Sequence, residues 1–168
     1  MKKLMVVLLS AVLALGILAG CGGESKPTGV PEDFSFAIAW NPYGDSTYDS
    51  ATGVLIKQLV ADPVADYTTE LKLSGAQLKE IWEILSALDL DGYPDMLQPQ
   101  NPSNPGPWLN LTVRQGEKER SVYCLDLDAY RSSGEAGRTY AEAGEKIVEI
   151  LTATKEWQAL PDYQELYW

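Results

Sequence analysis

Phe34-Ser35-Phe36-Ala37-Ile38-Ala39-Trp40 alternates bulky apolar residues with small ones, and this period of two reads as a β-strand with a bulky face and a small face. Asn41-Pro42 ends it, because proline cannot donate to a strand ladder. Tyr43 to Gly53 is rich in turn formers and is followed by the run Val54 to Leu59, which together predict a hairpin with a long, aromatic-bearing connection. A third extended segment, Tyr67 to Leu73, places Tyr67, Thr69, Leu71 and Leu73 on one face and Thr68, Glu70 and Lys72 on a wet one.

The chemistry then changes period. Ser74-Gly75-Ala76-Gln77 fits a capping box, and Leu78, Ile81, Trp82, Leu85 and Leu88 form the apolar stripe of an amphipathic helix. Pro94, Pro99, Pro102, Pro105 and Pro107 exclude both helix and central strand from the next stretch, which predicts a long loop. Leu109 to Val113 and Ser121 to Leu127 read as a second hairpin through Gln115 to Lys118. On its return strand Val122 and Cys124 compete with Tyr123, Leu125 and Leu127 for the inner face, and the sequence leaves that register open. Ser132 and Glu135 suggest a second capping box before a helix whose stripe is Tyr140, Gly144, Ile147, Leu151 and Thr154, with Pro161 marking its end. The order β-β-β-α-β-β-α predicts an α+β domain: an antiparallel sheet of about four to five strands with two helices packed on one face.

The 168 residues, 45% hydrophobic and 22% charged, suffice for one domain with a real core. The chain has no histidine, which excludes imidazole-based triads, His-containing zinc sites and histidine pH switching. With 13 basic against 24 acidic side chains, the average field opposes nucleic acid and anionic lipid, so no nucleic-acid partner is expected.

The N-terminus carries an address. Lys2 and Lys3 precede an apolar run from Leu4 to Leu18, too short to span a membrane comfortably, and small residues follow it, as in a secretory signal segment. Leu18-Ala19-Gly20-Cys21 resembles the lipobox of bacterial lipoproteins. That resemblance implies that the Cys21 thiol receives a diacylglyceryl group and that a peptidase cuts between Gly20 and Cys21. Fatty acyl chains such as palmitate would then hold the protein on the extracytoplasmic face of a bacterial membrane. On this reading residues 1–20 are a signal peptide, 21–33 a flexible tether and 34–168 a single α+β domain, and Cys124 is left as a lone thiol in an apolar stretch, expected to be buried and inert.

Little in the remainder carries chemistry. Asp89, Asp91 and Asp95 are weak metal candidates: two oxygens two residues apart before Gly92 suggest a fragment of a calcium loop, but Gln100 stands where the acidic twelfth ligand belongs, so a helix-ending turn is favoured and no cofactor is expected. Asp126 and Asp128 could form a carboxylate pair, with a solvated rim the simpler reading. Recognition is better sought in two aromatic loops, with Trp40, Tyr43 and Tyr48 in one and Trp108 ending the other, where rings flanked by short polar groups suit a cell-wall glycan or protein partner; the alternative is that these rings cap the sheet edge and fill the core margin. Tyr48-Asp49, Thr52-Gly53, Leu88 to Pro94 and Glu156-Trp157 together resemble small cell-surface lipoproteins of Gram-positive bacteria, a resemblance that implies no activity. The expected role is noncatalytic binding or envelope accessory work; the alternative is a small envelope hydrolase acting on glycan or peptide through carboxylates.

Overall fold

The computed structural model describes residues 29–41, 45–59, 65–99, 101 and 106–162. Seven strands form one sheet: β1 (Phe34–Trp40), β2 (Ser46–Asp49), β3 (Val54–Leu59), β4 (Ala65–Glu70), β5 (Met96–Leu97), β6 (Leu109–Gln115) and β7 (Lys118–Cys124). Their spatial order is β4-β3-β2-β1-β6-β7-β5. Among the described residues four helices accompany them: α1 (Gly75–Leu88), α2 (Leu127–Arg131), α3 (Glu135–Thr152) and α4 (Lys155–Gln158), with a 3-10 turn at Leu90–Gly92. The fold is therefore α+β, as the sequence predicts.

The alternation in β1 decides the layering. Phe34, Phe36, Ile38 and Trp40 are all buried, and Phe34 meets Trp82 of α1 edge to face at 4.9 Å between ring centroids. Leu109, opposite Trp40 in the ladder, lies against α3, where a Cβ on Gly144 would fall 2.1 Å from its Cδ2. Both long helices thus cover the bulky face. On the opposite face Ala37 and Ala39 stand between polar neighbours: Arg114 bridges Asp49 at 3.0 Å and Glu119 at 2.7 Å, and Thr112 donates to Ser121, which donates to Asn110.

Several sequence expectations need correction. The sheet has seven strands rather than four or five, and it is mixed, because β5 pairs β7 in parallel through Met96↔Tyr123 and Leu97↔Cys124. This two-residue strand sits among prolines, and Leu97 is buried. The turn-rich stretch after Asn41 contains β2, whose four residues are held between β1 and β3 rather than by their own propensity. The open register of the return strand resolves with Val122 and Cys124 fully buried and Tyr123 turned to the other face. Ser132 caps no N-terminus: it closes α2, and α3 begins after Gly134 without a side-chain cap. Packing also starts before Phe34, with Val30 already in the core.

Two other local readings hold. The Ser74 box is complete, with Ser74 Oγ accepting from Gln77 N and Gln77 Oε1 accepting from Ser74 N at 2.9 Å. The residues of the second helical stripe, Tyr140, Gly144, Ile147, Leu151 and Thr154, are all buried, but the helix ends at Thr152 rather than at Pro161. Thr154 caps the separate α4, and with α2 the described residues hold four helices where the sequence predicts two.

Candidate functional site

At the end of β1 the chain meets the incoming residues of β6. Asn41 Oδ1 accepts from Trp108 N at 2.7 Å, and Asn41 N donates to the Trp108 carbonyl at 3.4 Å. Across from this junction runs α3, and between them lies an open cleft of about 720 Å³. Trp40, Leu109 and Val148 give it apolar walls, and Trp157 of α4 borders one part of it. Asp128, Glu145 and Glu149 add carboxylates to the lining. A cleft of this size with a mostly apolar lining and a few charged groups is what small-molecule sites require.

The walls are firmly built. Trp40 and Trp157 are each 6% exposed, with ring centroids 5.6 Å apart. Lys57, reaching up from β3, places its Nζ 4.7 Å from the Trp157 ring centroid, and burial lowers the amine's pKa. Thr154 caps α4: its Oγ1 accepts from Trp157 N at 3.3 Å and donates to the Leu151 carbonyl at 2.6 Å. Glu145 pairs with Arg131 from α2. At Gly144 a Cβ would fall 2.1 Å from Leu109 Cδ2, so a larger residue there would have to displace the Leu109 side chain on the opposite wall.

The sequence candidates separate. Trp40 borders the cleft from within the core, and Trp108 lies on its wall while its ring packs against Tyr123, 5.8 Å away. Tyr48 belongs to the core instead: it is 2% exposed, packs on Phe36 at 5.7 Å and donates to the Leu71 carbonyl at 3.2 Å, and burial raises its phenol pKa to about 12. Tyr43, Gly20 and Cys21 lie outside the described residues.

The acidic candidates have other work. Asp89, with φ 48°, ends α1 in the left-handed conformation, Asp91 lies in the 3-10 turn, and Asp95 is paired with Arg120. Among the described residues no three His, Cys, Asp or Glu side chains come together in a way that could hold a metal ion. Asp126 is neither a rim residue nor half of a strand-edge pair. It is fully buried, its Oδ1 accepts from Ala129 N at 3.0 Å, and so it caps α2. Gly106 passes so close that a Cβ there would lie 2.9 Å from the Asp126 carboxyl carbon. Cys124 is buried, and burial raises its thiol pKa to about 11, which keeps the nucleophilic thiolate scarce at neutral pH.

The sequence does not single out Glu145, Val148 or Glu149, and it marks Trp157 only within the Glu156-Trp157 resemblance, not as a site residue. Their signal was present but faint: Glu145 and Glu149 stand four apart beside Gly144 and Val148, along the border of the α3 stripe. No family model matches the chain, and no curated protein matches it.

Proposed function

We propose that this protein is a lipid-anchored extracytoplasmic lipoprotein of a bacterial envelope whose domain binds a ligand without transforming it, with the Trp40–Trp157 cleft as the binding site. The observation that carries the anchoring is Leu18-Ala19-Gly20-Cys21 placed directly after a basic and then apolar leader. A diacylglyceryl group on Cys21 supplies two acyl chains. At about 0.8 kcal/mol per buried methylene, two chains hold a protein stably where one does not. Between Cys21 and the core residue Val30 the sequence runs Gly22 to Gly29, small and polar in composition, which suits a tether between lipid and domain. The chain's acidity supports attachment by lipid rather than by a basic patch, since acidic surfaces are repelled by anionic headgroups.

The noncatalytic part is supported by where the reactive side chains sit. Cys124 is buried with a raised pKa, and Asp126 is committed to capping α2. The cleft adds an apolar lining suited to holding a ligand.

The test of anchoring is Cys21→Ala in the full-length chain expressed in a bacterium. The variant is expected to accumulate as a precursor that retains residues 1–20, detected by immunoblot of fractionated cells. Release of a soluble form of mature size from that variant would contradict the reading.

A further inference from the structure

We infer that the cleft takes a small organic cation, a free amine whose ammonium group meets Asp128 and Glu149 while its apolar body lies against Trp40, Leu109 and Val148. The inference rests on the cleft being the binding site. Charge complementarity carries it: among the described residues that line the cleft, every ionisable side chain is a carboxylate, namely Asp128, Glu145 and Glu149. Arg131, outside that lining, pairs with Glu145 and also feels the Asp128 carboxylate, so one cation stands against three carboxylates and the lining an incoming ligand meets stays net negative. An anionic ligand would face these groups and the chain's net charge of -11 together.

The aromatic wall sharpens the assignment. Trp157 already carries Lys57 over its ring at 4.7 Å and packs on Trp40, so the ligand's positive charge is met by carboxylates rather than by that ring face. Size also selects a small molecule. A volume of about 720 Å³ holds a compact ligand, whereas a stable protein partner needs about 800 Å² of contact on each side.

Three probes share one aromatic body and differ only in charge: phenethylamine, 2-phenylethanol and phenylacetate. Titrated calorimetrically into the full-length chain in detergent, phenethylamine is expected to bind saturably and phenylacetate weakest. The amine's advantage over 2-phenylethanol is expected to be about two- to five-fold for each carboxylate it meets, and to shrink at high salt. Glu149→Gln and Asp128→Asn, both at exposed positions, should each remove a share of that advantage, weakening the amine more than 2-phenylethanol. Val148→Trp, checked by its thermal unfolding to be folded, should abolish binding of all three and corrects for partition into the micelle.

Equal binding of amine and alcohol, lost in Val148→Trp, would overturn the cation assignment while leaving the cleft a binding site. Absence of binding by all three probes would overturn the assignment and the cleft reading together, with the lipid anchor still to be judged by Cys21→Ala.

Discussion

Tyr140→Ala is expected to lower the unfolding free energy by about 3–5 kcal/mol, the range for truncating a large aromatic in a packed core. Tyr140 is fully buried in the middle of α3, and its ring packs on Tyr93 at 5.7 Å. Its hydroxyl donates to the Val122 carbonyl at 2.6 Å, tying the helix to β7. Alanine there leaves a cavity and removes the hydrogen bond from helix to strand at once. Tyr140→Phe removes only the hydroxyl and should cost about 1 kcal/mol, near the net value of one hydrogen bond. Urea unfolding of the three proteins separates the two contributions, and a loss under 1 kcal/mol for alanine would contradict the packing described.

The same residue gives a pH dependence with a definite sign. Burial raises the Tyr140 phenol pKa above its ordinary value of 10.0, so the folded state holds the proton more tightly than the unfolded chain does. Its contribution is complete below pH 10 and is lost as pH rises beyond that value towards the folded pKa. Tyr140→Phe should therefore lose less stability above pH 10 than the wild type, with Tyr48 supplying part of what remains.

Trp157→Ala should cost a similar amount, about 3–5 kcal/mol, although the residue sits in a four-residue helix near the end of the described chain. Position along the chain does not set the cost; burial does, and Trp157 is 6% exposed between Trp40 and Lys57. Removing the indole takes the ring from beneath a buried lysine whose pKa burial already lowers, and it opens the cleft from one side. Trp157→Phe should recover much of the stability by restoring an aromatic neighbour for Trp40. If Trp157→Ala unfolds at the wild-type urea midpoint, α4 does not dock as described and the cleft has lost a wall.

The parts of the fold that can be read from the sequence are those in which local chemistry and tertiary need coincide. Phe34 to Trp40 alternates because one face is buried; Ser74 and Gln77 cap a helix whose own stripe then packs; and Tyr140, Gly144, Ile147 and Leu151 line the buried face of α3 at the predicted spacing. What escapes is stabilised from outside itself. Ser46–Asp49 is a strand because β1 and β3 flank it, and Met96–Leu97 because β7 offers a parallel edge. Ser132 and Glu135 carry the spacing of a capping box, yet Asp126 had already started the short α2 that Ser132 ends. The cleft escapes for the same reason, since its walls come from β1, the approach to β6, α3 and α4. Trp40 and Trp108 could be picked out singly, but only the packed chain shows that Trp40 turns to the core and that carboxylates of α3 share its space.

The proposed lipid anchor is measured most directly by the chemistry at Cys21. Mass spectrometry of the N-terminal peptide, from wild-type protein extracted out of bacterial membranes, reads that chemistry. The expected result is a chain that begins at Cys21 with a diacylglyceryl thioether on its sulfur. A free Cys21 thiol in a chain that still carries residues 1–20, or an N-terminus at any other residue, would contradict it.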